Sequence, residues 1–536
     1  MNRREFLKTG SVAFAAAAIP AAAKAGEDFD WDNPVAVALA AGGRWRANKN
    51  EVAIKNGVVT LKCDKASWVR ITWKAKFSPT ALVMGDAWER TYGDVGWRSI
   101  GEPRFSPWYF AVRDGDETLC YGMKTQPGAL CSWRYDVNSI TLLADVRCGC
   151  LDTEFGGRTL KVAELVSSVG GKEWWSVLRD FCKLMCPKPA LPKEPVYGGD
   201  DWYAYYSAID HRKIVAHAKF VSKLAGTHSN RPVQMVDAGW QLCHNWYLND
   251  EYIGGPFRYP NSRFPDMKAL TDEMKAAGTK PGIWIRPLET VEFVPDGAFT
   301  RRAKNVKYLD PTHPFAQEIL DGDLKRFEEW GFEVVKWDFP VVDMFRRYGV
   351  SMTDSCAEGD WAFHDRTKTS AEISLDYYLR SKAAAPGLMF SACNVFSHLG
   401  AGIFENFRIG DDTSGNDFKR CIDYGVNTIA CRSCQHGVFY SADADAIGVT
   451  GKIPWSRNRE YLNLMAASGL AGWVSVMPEF MDDPQICSDI EAAFAKMQVP
   501  RPVARPLDFD ETLAPTRWLT AEGERSFNFS ICDSSK

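Results

Sequence analysis

Between residues 27 and about 185, apolar and polar positions alternate in short stretches. Val52-Ala53-Ile54, Val58 to Cys63, Trp68 to Trp73 and Trp108 to Val112 each place successive side chains on opposite faces. Lys55-Asn56-Gly57 and Asp114-Gly115-Asp116 supply turns between such stretches. Many short strands with turns of this kind predict an N-terminal β-sandwich over 27–185. Pro187, Pro189, Pro192 and Pro195 then read as a joint between domains. From 196 to 490 the period changes. The stretches VYGGDDWYAY, PVQMVDAGW, PGIWIRPLE, EVVKWDFP, LMFSACNV, FRIGDD, GVFYSAD and GWVSVMPE read as strands, with helical segments between several of them. In one of those segments Phe315, Ile319, Leu320, Leu324 and Phe327 recur at helical spacing. Strands alternating with helices over this length predict an α/β (β/α)8 TIM barrel over 196–490. The remainder, 497–536, offers a short C-terminal β segment.

Composition narrows the function classes. The chain has 536 residues with a net charge of -4, a balance that argues against a partner held through nucleic-acid phosphates. Aromatics reach 13%, enough to fill large cores or to cover sugar rings. Arg3 and Arg4 precede Phe6-Leu7-Lys8, a mild apolar run from Ser11 to Ala23, and Ala23-Lys24-Ala25. This layout predicts a twin-arginine signal peptide over 1–25, hence a periplasmic or extracellular protein. No segment reaches the roughly 20 apolar residues of a membrane span. The 15 cysteines form no paired pairs at finger-like spacing, so buried thiols are expected, with neither metal nor cofactor.

In a barrel of this type, polar residues at the C-terminal ends of the strands face the active site. Those ends carry Asp200 to Tyr203, Asp237 to Trp240, Trp284 and Arg286, Lys336 and Asp338, Cys393 and Asn394, Arg408 with Asp411 and Asp412, and Asp443 with Asp445. Carboxylates, basic groups and Trp on one face suit glycoside hydrolysis, which needs one ionised and one protonated carboxyl. Lys336 and Asp338 are two apart on a strand and point the same way, so the ammonium is expected to keep Asp338 charged for attack. Crowding between Asp411 and Asp412 is expected to raise one of them into the role of an acid. Asp443 and Asp445 read equally well as turn formers.

These strand ends resemble glycoside hydrolase clan D, the α-galactosidase (melibiase) group of families 27 and 36. VVKWDFP is similar to the clan's Lys-x-Asp strand, which implies Asp338 as nucleophile and Lys336 as a sugar ligand. MVDAGW resembles its Asp-Asp-Gly-Trp segment and implies Asp237 and Trp240 in sugar binding; DDWYAYY implies Trp202. GDAWERTYGDVGW resembles a family 36 N-terminal segment. For the acid/base, family 36 aligns GDDTS on Asp411, whereas the family 27 spacing from Arg408 reaches Asp412; the tighter match favours Asp411. Trp284, Arg286, Cys393, Asn394 and Arg408 complete the expected substrate-binding set.

Departures fall on sugar recognition. Ala238 replaces the second Asp of the strand-two pair, and Ile-Arg-Pro stands where Phe-Glu-Pro is usual. The resemblance thus implies a retaining exo-α-glycosidase acting on α-linked oligosaccharide or glycan, with α-galactosidase foremost. Its rivals are an α-N-acetylgalactosaminidase or other α-hexosidase of the clan, and a catalytically silent carbohydrate-binding protein on the same scaffold. The oligomeric state is left open.

Overall fold

A computed structural model describes residues 29–102, 105–243, 253–303 and 305–530. The expected signal peptide lies outside these residues. Among the described residues no helix is long and apolar enough to cross a membrane.

The N-terminal part stacks a six-stranded on a seven-stranded sheet, antiparallel throughout. Strand Trp68–Lys74 shows why: Val69, Ile71 and Trp73 point inward while Arg70 and Thr72 are half-buried. The larger part of the aromatic surplus goes into the core around the barrel, and part of it into this sandwich core. Trp31, Trp73 and Trp133 meet there, with ring centroids 5.1–6.4 Å apart. The Trp73 indole N–H donates to Trp31 O at 2.9 Å, so burying the ring leaves no orphaned donor.

Eight parallel strands then close a barrel in chain order: Tyr197–Asp200, Val233–Val236, Lys280–Ile285, Val334–Trp337, Met389–Ala392, Asn406–Arg408, Ser441–Val449 and Ala471–Val476. The first strand passes very close to the second. A Cβ at Gly198, where φ is +152°, would lie 1.9 Å from Val233 O, so only glycine fits. The seventh strand corrects the sequence reading. It begins at Ser441, near the end of the apolar run GVFYSAD, and continues through Ala-Asp-Ala-Asp, buried at every position. Small and acidic residues carry no apolar strand signal, yet here Asp side chains face a polar interior.

Three short antiparallel strands, Arg505–Pro506, Arg517–Thr520 and Gly523–Ser526, follow the barrel. The sandwich is seated on the barrel. Asp86 accepts from the buried Arg432 at 2.7 Å and from Gln435 at 2.9 Å, and Trp88 and Trp108 pack on Phe396. Every described cysteine is a free thiol; Cys431 and Cys434 are buried and bond backbone carbonyls.

Candidate active site

A hollow at the C-terminal ends of the strands is lined by Asp200, Trp202, Tyr203, Asp237, Trp284, Lys336, Asp338, Phe339, Asn394, Arg408, Asp412 and Asp445, with Arg90 from the sandwich. Three of the barrel residues in this wall have left-handed backbones: Phe339 (φ +69°), Asn394 (φ +54°) and Asp445 (φ +74°). Each such position costs about 1–3 kcal/mol and persists where the surroundings enforce it.

Asp338 follows the fourth strand and is 8% exposed. Three donors converge on its two oxygens: Trp284 Nε1 at 3.1 Å, Asn394 Nδ2 at 3.0 Å and the Phe339 backbone N–H at 2.9 Å. A carboxylate only accepts, so this cradle orients it without competition. The left-handed Phe339 turns its own N–H back to Asp338, and Pro340 then starts a helix, where its missing N–H costs nothing.

Lys336 serves a different pair from the one expected. Its ammonium binds Asp200 at 2.9 Å and Asp237 at 2.6 Å, from the first and second strands. Burial opposes its charge, but these two carboxylates outweigh that and hold its pKa well above the ordinary value. Burial likewise lifts Asp237 to about 7 despite Lys336. Lys336→Met leaves two buried carboxylates unpaired, and breaking such a pair costs about 3–5 kcal/mol. A carboxyl with a raised folded pKa contributes stability that is present at low pH and lost as pH climbs through that value. The melting temperature of Lys336→Met is therefore expected to fall further below wild type at pH 8 than at pH 5. Thermal unfolding at the two pH values checks this; an equal deficit at both contradicts it.

The aspartate doublet after the sixth strand is divided. Asp412 lines the hollow, its side chain 44% exposed, and Asp411 does not line it. Asp411 is gripped by Arg90 at 2.7 Å and by Arg420 at 3.6 Å. Asp412 Oδ1 takes Arg408 at 2.9 Å and Arg90 at 3.6 Å. Burial pushes Asp412 up, but the guanidiniums of Arg408 and Arg90 outweigh it and hold it below the usual carboxylate range. Arginines, not crowding by its neighbour, decide the shift at Asp412. Arg408 also binds Asp445 at 2.6 Å, which receives the Tyr203 hydroxyl and the Thr413 N–H.

No family model matches the chain, and no curated protein matches it in sequence. Solved structures do match. An α-galactosidase of Thermus thermophilus, TtGalA, in complex with p-nitrophenyl α-D-galactopyranoside, is 16% identical with a TM-score of 0.59; the match covers 91% of this chain and 98% of that one. The GH36 α-galactosidase AgaA of Geobacillus stearothermophilus, in complex with stachyose, is 12% identical at a TM-score of 0.55, covering 82% and 65%. The galactosidase domain of the α-galactosidase-sucrose kinase AgaSK is 17% identical at 0.55, covering 88% and 70%. The fold is that of the GH36 α-galactosidases.

Within this GH36 fold, most of the expected residues come together and a few do not. Trp202, Asp237, Trp284, Lys336, Asn394 and Arg408 line the hollow with Asp338 and Asp412. Trp240 does not. The second strand ends at Val236, and Trp240 is carried past it into the core against Phe257, Phe327 and Trp330, donating to Trp284 O at 2.9 Å. Trp240→Ala is expected to cost about 3–5 kcal/mol of stability, while Trp240→Phe keeps hydrolytic activity within about threefold of wild type. Urea unfolding and steady-state kinetics check the pair; a large KM effect from Trp240→Phe contradicts it. Arg286 stands beyond the third strand and turns away to Asp343 at 2.6 Å and Glu289 at 2.9 Å, beneath the Phe339 ring. It supports the turn that follows Asp338. Cys393 is buried behind the wall, its Sγ 3.7 Å from Arg90 Nη1. Burial, first, and Asp338 push this thiol well above its ordinary pKa. Asp445, Tyr203 and Asp200 were visible only as strand-end polar residues. Arg90 carried no signal tying it to the site beyond its motif.

Proposed function

We propose that this chain is a retaining exo-α-glycosidase, most specifically an α-galactosidase, working by double displacement. The observation that carries the reading is that Asp338 and Asp412 face one hollow in opposite settings. One is buried under three hydrogen-bond donors; the other is open to solvent between two arginines. Asp338 attacks the anomeric carbon while the bond to the leaving oxygen breaks, and Asp412, which takes up a proton when the bound sugar expels water from the hollow and desolvates its carboxylate, gives that oxygen the proton. Asp412, now a carboxylate, takes a proton from water. The water oxygen attacks the anomeric carbon and Asp338 departs with its bonding pair. Lys336, Asp200 and Asp237 present polar groups for sugar hydroxyls, and the half-buried Trp202 offers a face for the ring.

This assigns the acid/base to Asp412 in place of Asp411, because only Asp412 borders the hollow. It also places the leaving group toward Arg90. A second cavity of about 340 Å³ borders Arg90 there, between Tyr92, Arg98 and Tyr135 of the sandwich and Gly349 and Val350 of the barrel. The TtGalA complex with a nitrophenyl α-galactoside supports the choice of sugar. With export by the twin-arginine route, the enzyme acts in the periplasm or outside the cell. The test is a panel of nitrophenyl α-glycosides offered to the chain beginning at Gly26. The α-galactoside is expected to be cleaved fastest. Cleavage of only the 2-acetamido analogue favours the α-N-acetylgalactosaminidase alternative, and cleavage of none overturns the hydrolase reading.

A further inference from the structure

We infer that Arg90, carried by the N-terminal sandwich, is a positioning residue for the acid/base aspartate of the barrel, so that the proton-transfer geometry is completed only by docking of the two domains. The inference rests on the reading of Asp412 as acid/base. Segment 89–92 lies outside the sandwich sheets and adds itself to the end of the sixth barrel strand. Thr91 pairs with Gly410 as a parallel bridge. Its N–H donates to Ile409 O at 2.9 Å, and its O accepts from the Asp411 N–H at 3.2 Å. Its hydroxyl lies 2.9 Å from that of Thr428. These bonds fix the register immediately before the doublet.

Arg90 is spread over that register. Nη2 binds Asp411 Oδ1 at 2.7 Å, Nη1 approaches Asp412 Oδ1 at 3.6 Å and Cys393 Sγ at 3.7 Å, and Nε donates to the Tyr92 hydroxyl at 3.0 Å. The Tyr92 hydroxyl in turn donates to Glu89 at 2.5 Å, and Glu89 also accepts from the Gly349 N–H at 3.1 Å. A buried guanidinium is expensive unless paired, and a plain interdomain clamp needs only the Thr91 backbone bonds. Arg90 has a longer ion pair with Glu89 at 3.9 Å, and makes its closest contact with the doublet.

The effect on Asp412 follows from geometry. Its side chain is 44% exposed, so neighbours have to hold it. Arg408 and Arg90 both make their closest approach at Oδ1, and among the described residues Oδ2 carries no hydrogen bond. That leaves Oδ2 to deliver the proton. The cations facing Asp412 are Arg408 and Lys336 from barrel strands, Arg420 from the following helix and Arg90 from the sandwich, all favouring its ionised form; against them stand the carboxyls of Asp338 and Asp445, which line the same hollow, and the Tyr203 hydroxyl.

The test uses Arg90→Met and Arg90→Lys on the full chain, with phenyl α-galactosides of graded leaving-group acidity. General acid assistance is worth about 10²–10⁴-fold where the leaving group is poor. For Arg90→Met, kcat/KM on the phenyl galactoside is expected to fall at least about tenfold more than on the 2,4-dinitrophenyl galactoside. The alkaline limb of kcat/KM moves up, because one guanidinium that lowers Asp412 is gone. Arg90→Lys recovers part of the loss. Equal losses across the series with an unmoved alkaline limb overturn the inference and leave Arg90 a structural clamp. Should Arg90→Met fail to fold, Tyr92→Phe, which frees only Nε, is expected to show the same graded pattern more weakly, and a flat pattern there is equally fatal. A wild-type chain that cleaves none of these galactosides overturns the proposed function, an outcome distinct from a flat series.

Discussion

Replacing Asp338 with Gly is expected to lower hydrolysis of a nitrophenyl α-galactoside by at least about 10⁴-fold, the scale on which single members of a covalent catalytic unit act. The loss is chemical rather than structural. The substitution leaves Trp284 Nε1 and Asn394 Nδ2 without their acceptor, a cost of about 1–3 kcal/mol per buried donor. The hollow is open enough to admit water, which offsets part of that cost. The vacated volume also gives a positive signature. Azide entering it attacks the anomeric carbon from the face opposite the leaving group, forming one C–N bond as one C–O bond breaks. The bonding pair departs on the phenolate oxygen. The product is the β-galactosyl azide, inverted relative to substrate, and proton NMR of the anomeric position identifies it.

Asp412→Ala is expected to behave differently in two respects. Hydrolysis falls by about 10²–10⁴-fold on substrates with poor leaving groups and much less on a dinitrophenyl galactoside, which departs without a proton. The covalent intermediate on Asp338 then waits for a water that lacks its base. Azide needs no base, so it restores turnover and gives the α-galactosyl azide, with net retention. Asp411→Ala is the control. Its carboxylate is tied to Arg90 and Arg420 away from the hollow, so its variant is expected to lose activity without azide rescue. Rescue of Asp411→Ala and none of Asp412→Ala reverses the assignment.

The eight barrel strands were legible because a strand buried on both faces is written as a short apolar run between turn residues. VVKWDF marked its strand in this way, and that strand delivers Asp338 to the side chains of Trp284 and Asn394. The seventh strand was legible only at its start, since Ala-Asp-Ala-Asp resembles a turn until a polar hollow is there to receive the aspartates. Partner choice was the least legible feature. The two-residue spacing put Lys336 on the face of Asp338, but Asp200 and Asp237 arrive on neighbouring strands and claim the ammonium first. The resemblance of MVDAGW to an Asp-Asp-Gly-Trp segment put Trp240 at the sugar; the turn at Gly239 sends it into the core. The choice within the doublet turned on which carboxyl borders the hollow, and Asp411 is held out of it by Arg90, more than 300 positions upstream, whose place comes from the backbone bridge between Thr91 and Gly410.

One measurement addresses the nucleophile directly. The enzyme is treated with a fluorinated α-galactosyl donor that forms the glycosyl-enzyme faster than it is hydrolysed, then digested and mapped by mass spectrometry. A single sugar ester on Asp338, with Asp411 and Asp412 unlabelled, is the predicted result. An inactivated enzyme bearing no ester on Asp338, or one bearing it on a member of the doublet, contradicts the account.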